Sequence, residues 1–256
     1  MNPQIIDLLN HKAQFYNQPQ FIESDPIQIP HQFKQKEDIE ISGLLTAIIS
    51  WGNRKAIISS SSKLMQLLDH APYDFVLHAT DKDFQRLNSF VYRTFNCNDL
   101  TYFILSLQNI YKNKGGLEAI FTSGFKTNCF DALELFRSAF FSDGIDIHAS
   151  KHIANVVKGS SAKRLNMFLR WMVRNDNCGV DFGLWKNISP SKLKLPLDLH
   201  SANMSRQLGL LSLKQNNWKA VEEVSNHLIL LDPLDPIKYD FALFGMSIFE
   251  NFKYVE

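Results

Sequence analysis

Apolar residues recur along most of this chain at spacings of three and four, and no stretch alternates apolar with polar at the period of a strand. Wherever the spacing holds, it predicts a helix. Ile41, Leu44, Leu45 and Ile48 form one stripe behind Asp38, which offers an N-cap; Leu100, Phe103, Ile104, Leu107 and Tyr111 form a second behind Asp99. Phe130, Leu133, Phe136 and Phe140 line a third helix, and Leu165, Phe168, Leu169 and Met172 a fourth. Trp218, Val221, Val224, Ser225 and Leu228 line a fifth, and Ile237, Phe241, Phe244 and Ile248 a sixth. Ser189-Pro190 and Asp235-Pro236 read as a cap followed by a first-turn proline. Turn-rich breaks fall at 24–36, 113–116, 142–146, 175–181 and 187–196, none of them long enough for a flexible linker. Ser59 to Ser62 lies inside a helical pattern, where small residues permit close packing. The expected fold class is all-α, with no internal repeat.

Composition narrows the function classes. The chain has 256 residues, 45% of them hydrophobic, enough for one large core or two small ones. Lys plus Arg number 27 and Asp plus Glu 26, so there is no global basic field and any nucleic-acid contact must use a local patch. Cys97, Cys129 and Cys178 are odd in number and far apart, which fits a reducing compartment and excludes a four-cysteine iron–sulfur cluster. The start lacks the charged and apolar regions of a signal peptide, and no apolar run approaches a membrane span. A cytoplasmic protein without a membrane partner is expected.

Two short segments carry the candidate chemistry. The first is Gly159-Ser160-Ser161-Ala162-Lys163-Arg164, at the head of the fourth stripe. The second is Leu195-Pro196-Leu197-Asp198-Leu199-His200, followed by Arg206-Gln207-Leu208-Gly209-Leu210. Together they resemble the helix-hairpin-helix DNA glycosylase superfamily, whose hairpin reads Gly-x-Gly-x-Lys and whose aspartate segment reads Val-Asp-x-His followed by Arg-Leu-Gly-Leu. The span from Lys163 to Asp198 is similar to that of archaeal 8-oxoguanine glycosylases. An uncharacterised bacterial family, typified by the strings present here as Lys163 to Arg174 and Asp235 to Gly245, is more similar still.

The resemblance implies a two-lobed helical fold, with residues 37–170 as a central lobe ending in the hairpin and residues 1–36 plus 171–256 as a second lobe built from both ends. It implies a cleft between them, with Lys163 on one wall and Asp198 on the other. The implied activity is excision of a damaged purine such as 8-oxoguanine from double-stranded DNA, with or without lyase activity, by a monomer that needs no cofactor. The residue types fit that chemistry. Breaking the bond from C1′ to the base nitrogen develops positive charge that a carboxylate stabilises, and a neutral amine can attack C1′. An Asp at a helix start also serves as an N-cap.

The same resemblance distributes other residues around the pair. Gly159, with Ser161 where a second glycine is expected, would let backbone amides approach a phosphate. Ser160 and Ser161 offer hydroxyls there, and Lys158, Arg164 and Lys151 offer charge. Gly52 occupies the position expected to wedge into the duplex, so Asn53 or Arg54 would take that role. Phe182, Trp185 and Trp171 could sandwich an extruded base, and Tyr239, Asp240 and His200 could read its edge, although core packing and capping explain each of them as well. His148 and His152, four apart beside Asp146, can share one helical face, but no third ligand stands at a metal-site spacing and no metal is expected. Two other classes remain open. One is a nucleic-acid binder that keeps the fold without turnover, and the other a helical interaction scaffold marked by a large apolar patch.

Overall fold

The structure, a computed structural model, describes residues 2–250. It is all-α. The helices are α1 (Pro3–Tyr16), α2 (Gln20–Ser24), α3 (Lys36–Ile49), α4 (Arg54–Leu67), α5 (Pro72–His78), α6 (Asp81–Arg86), α7 (Cys97–Asn113), α8 (Leu117–Gly124), α9 (Cys129–Phe140), α10 (Lys163–Val173), α11 (Leu199–Gln207), α12 (Trp218–Leu231) and α13 (Tyr239–Phe249). Among the described residues the one sheet is a two-residue hairpin, β1 (Val91–Tyr92) and β2 (Phe95–Asn96), with Tyr92 opposite Phe95. Among the described residues no helix is long and apolar enough to cross a membrane.

The predicted stripes are buried on α3, α7, α10 and α12, where every residue named for them except Tyr111 is in the core. Each fully buried Leu, Ile or Phe contributes about 1.5–3 kcal/mol through apolar burial. Two predicted caps lie elsewhere. Gln35 and Asn96 hold the N-cap positions of α3 and α7, and the aspartates fall in the first turns, where a carboxylate still favours the positive helix end. Asp38 accepts from the Tyr73 amide at 2.9 Å, and Asp99 closes a capping box by accepting from the Asn96 amide at 2.9 Å.

The chain divides into two compact units, Ser24–Ala154 and the combination of Met1–Glu23 with Asn155–Glu256. The boundaries expected at 37 and 170 therefore move to 24 and 155. Residues 155–170 join the terminal unit for a physical reason: Trp218 donates to the Gly159 carbonyl at 3.1 Å, and Arg170 pairs with Asp181 and Asp240. In the 24–154 unit, α3 packs against α4 and α5, and α7 against α5 and α9. Gly124 on α8 lies so close to α9 that a Cβ there would stand 2.3 Å from the Ala132 Cα. In the other unit, α13 packs against α1 and α11. Gly245 makes room for the Tyr16 ring, which would be 2.2 Å from an added Cβ, and the Tyr239 hydroxyl donates to Asn10 at 2.8 Å.

Candidate active site

The two motif segments meet within the terminal unit. Residues 155–162 form a tight turn in which the Asn155 side chain accepts from the Lys158 amide at 2.9 Å and its carbonyl from the Ser160 amide at 3.1 Å. Gly159 has φ of 85° and open space where a Cβ would be, so glycine is there for its backbone angle. Ser160 pairs as an antiparallel bridge with Asn217, at the head of α12. Arg206 of α11 holds the loop that leads to Asn217, donating to the carbonyls of Leu213 and Lys214 at 2.9 and 3.0 Å and to Asn216 Oδ1 at 2.6 Å. The Arg-Gln-Leu-Gly-Leu string thus ties the aspartate's helix to the lysine's hairpin.

Lys163 is the first residue of α10, whose cap residue, Ala162, sits in the left-handed region with φ of 50° and gives no side-chain cap. Asp198 is the N-cap of α11. Its two oxygens have separate jobs. Oδ1 accepts from the amides of His200 and Ser201, each at 2.9 Å, and Ser201 Oγ in return accepts from the Asp198 amide at 2.9 Å. Oδ2 faces Lys163 Nζ at 4.0 Å, with the lysine and aspartate side chains 26% and 24% exposed. Nζ also lies 3.6 Å from Met167 Sδ. One residue is both cap and chemical partner. The resemblance implied opposite walls of an interlobe cleft, whereas both residues belong to one unit.

Behind this pair runs a buried ionic network that the sequence reading did not find. Arg170 donates to Asp240 and, through Nε, to Asp181 at 3.2 Å, while its guanidinium lies 4.4 Å from the Phe241 ring centroid. Arg174 bridges Asp181 at 3.0 Å, Asp235 at 2.9 Å and Asp176 at 2.5 Å. Burial pushes the Asp240 carboxyl up to about 6, against the pull of Arg170; Asp198 adds to the rise, and Lys163 opposes it. Asp240 is therefore electrostatically coupled to the lysine–aspartate pair. The signal available in sequence was the polar row Lys163, Asn166, Arg170 and Arg174, spaced three and four apart along a helix that is otherwise mostly apolar.

The remaining sequence candidates separate. Lys158 and His200 are exposed, the latter with Nδ1 3.3 Å from Ser247 Oγ, and Ser160, Ser161 and Phe182 are half-buried. Burial lowers the half-buried Arg164 guanidinium to about 10, still cationic at neutral pH. Trp185 and Trp171 are corrected to core positions: both are fully buried, and Trp185 packs edge-on to Phe168 with centroids 5.4 Å apart. Tyr239 is corrected likewise, because it is buried and its hydroxyl already donates to Asn10. Asn53 and Arg54 lie in the 24–154 unit, where Asn53 caps α4 by accepting from the Ala56 amide at 3.2 Å. Gly52 has φ of 101°, and a Cβ there would meet the Arg93 guanidinium, which stacks over Trp51 at 4.5 Å.

The histidines also change. His148 and His152 flank a single 3-10 turn, Ala149–Lys151, in place of a helical face, and the third side chain they meet is Asp99. The expected neighbour, Asp146, instead caps that turn by accepting from the Ala149 amide at 2.8 Å.

No curated protein and no solved structure matches this chain. A family model does, over residues 25–249, which takes in most of both units and every residue of the lysine–aspartate site. The chain belongs to the family described as Protein of unknown function (DUF2400).

Proposed function

We propose that this protein is a base-excision DNA glycosylase with lyase activity, acting as a cytoplasmic monomer on a damaged purine such as 8-oxoguanine in double-stranded DNA. Lys163 is the nucleophile and Asp198 the stabilising carboxylate. The observation that carries this reading is the approach of Lys163 Nζ to 4.0 Å from Asp198 Oδ2, with Asp198 Oδ1 pinned by two amides. A carboxylate so fixed needs no reorganisation when positive charge develops on the sugar. The amine in its unprotonated form attacks C1′, and the glycosidic bond breaks with its electron pair going to the base nitrogen, which takes up one amine proton. The C1′–O4′ bond then opens with its electron pair staying on O4′, which takes up the second amine proton, and C1′ and the lysine nitrogen are left as a Schiff base.

The first turn of α10, which has no side-chain cap, offers its helix N-terminus to a phosphate, with Ser160, Ser161, Lys158 and Arg164 around it and Gly159 shaping the turn before it. Phe182 and His200 remain available to an extruded base, whereas Asp240 is corrected to the buried network, where it already accepts from Arg170. The two-lobed helix-hairpin-helix architecture with its cleft, and the wedge role of Asn53 or Arg54, belong to the same proposal.

Borohydride reduction in the presence of duplexes carrying defined base lesions tests it. The expected result is a stable protein–DNA crosslink on at least one lesion, absent for Lys163→Ala. Binding to DNA without crosslink or base release on any duplex favours a non-catalytic binder, a reading supported by Ser161 standing where the hairpin's second glycine is expected.

A further inference from the structure

We infer that Asp99, His148 and His152 form a binding site for one zinc-class divalent ion within the 24–154 unit. This inference is independent of the glycosylase reading, since it uses none of the same residues. The three side chains come from two places 49 residues apart: the first turn of α7, and the turn around Ala149–Lys151. Their ligand atoms all lie within 4.8 Å of one another. His148 Nδ1 is 2.6 Å from Asp99 Oδ1, and His152 Nε2 is 3.4 Å from Asp99 Oδ2, so each imidazole addresses a different carboxylate oxygen.

Zinc bound to nitrogen and oxygen at about 2.0–2.2 Å sets neighbouring ligand atoms about 3.3–3.5 Å apart in a tetrahedron. The contact from His152 already has that length, which is long for a hydrogen bond. The contact from His148 is shorter, and its side chain, 46% exposed, can open by a torsion without disturbing the core. Exposure on that side leaves room for water as the fourth ligand.

The surroundings hold these groups in place without relying on the imidazoles. Asp99 is 1% exposed, and its carboxylate is aimed by the Asn96 amide, as an outer-shell partner would aim a ligand. The histidine turn is set by Asp146, which accepts from the Ala149 amide, and by Arg137, which donates to the Ile153 carbonyl at 2.5 Å. The His152 ring packs edge-on to Phe95, with centroids 4.9 Å apart. Two imidazoles with one carboxylate suit zinc, cobalt or nickel; magnesium and calcium prefer oxygen shells.

The test uses untagged full-length protein stripped with a chelator and titrated with Co²⁺. One equivalent should produce a visible d–d absorption that Zn²⁺ bleaches and millimolar Mg²⁺ does not, and zinc should raise Tm. His148→Ala, at the exposed position, should weaken cobalt binding by about tenfold or more while leaving circular dichroism unchanged. Asp99→Asn should weaken it as well. His78→Ala removes an exposed histidine that pairs with Asp74 at 2.9 Å and should bind as wild type. The site is overturned by absence of both the d–d band and the zinc shift, or by affinity that survives both His148→Ala and Asp99→Asn. An equal loss in His78→Ala overturns it too, as does a strong thiolate-to-cobalt band in the near ultraviolet, which would assign the ion to a cysteine.

Discussion

Helix α10 carries two kinds of ion pair, and they differ in almost every physical respect. At its C-terminal half, Arg170 and Arg174 are 4% and 2% exposed and hydrogen-bonded to Asp181, Asp235 and Asp240. At its N-terminus, Lys163 stands 4.0 Å from Asp198, beyond direct hydrogen-bonding distance, with both side chains about one-quarter exposed. A buried charge stays ionised only where partners replace its water, so the arginines have fixed positions and no spare capacity for a substrate. The lysine has capacity to spare. The network orients α10, and the pair at its tip is left with an amine that a substrate can approach.

The largest effect should come from breaking the saturated side. Arg170→Ala leaves Asp181 and Asp240 buried with less compensation and should cost about 3–5 kcal/mol in urea denaturation. A loss below about 1 kcal/mol would mean that the network does not hold the helix.

Next comes the pH dependence of Asp240. Burial raises its carboxyl to about 6, so between the unfolded value near 3.9 and about 6 the folded state binds more protons than the unfolded chain. Its contribution to stability is therefore present in acid and declines as pH rises through that window. The stability of wild type relative to Asp240→Asn should fall by about 2 kcal/mol from pH 4 to pH 6.5. Equal slopes for the two proteins would show that Asp240 titrates normally.

A smaller effect separates the two oxygens of Asp198. Asp198→Ala removes the cap of α11 and should cost about 1 kcal/mol, whereas Asp198→Asn keeps a capping oxygen and should cost a few tenths. Both should slow base release alike, because neither retains the negative charge. Thermal denaturation paired with single-turnover cleavage distinguishes these outcomes. A change in stability of at most a few tenths of a kcal/mol should follow Lys163→Ala, although crosslinking disappears completely. If Lys163→Ala unfolds the protein, the two kinds of pair are not different after all.

What sequence periodicity reads is the side of a helix that is apolar, and it succeeded where burial follows polarity. The stripes on α7, α10 and α12 are cases of this. It failed where burial and polarity part company. Arg170 and Arg174 carried no expectation of pairing, because their partners on residues 176–181, 235 and 240 are invisible to local spacing. Asp99 was missed as a companion of His148 and His152 for the same reason, since the contact closes over 49 residues. Trp185 and Tyr239 were placed in a base pocket by the resemblance, with core packing and capping as the other reading, and their burial and partners decide for the core. Lys163 and Asp198 were legible because each belongs to a local device, a tight turn with a positive φ and an N-cap, and such devices leave their marks in adjacent residues.

The packing of Tyr16 against Gly245 has a consequence for how the chain acquires its structure during synthesis. Helix α1 is made before α13, yet the surface that covers its Ile5, Leu9 and Ala13 stripe includes α13. The intervening residues 24–154 form a continuous unit that can close its own core as it leaves the ribosome. Helix α1 must wait through that interval without its α13 cover, which gives a nascent-chain chaperone time to reach its apolar face.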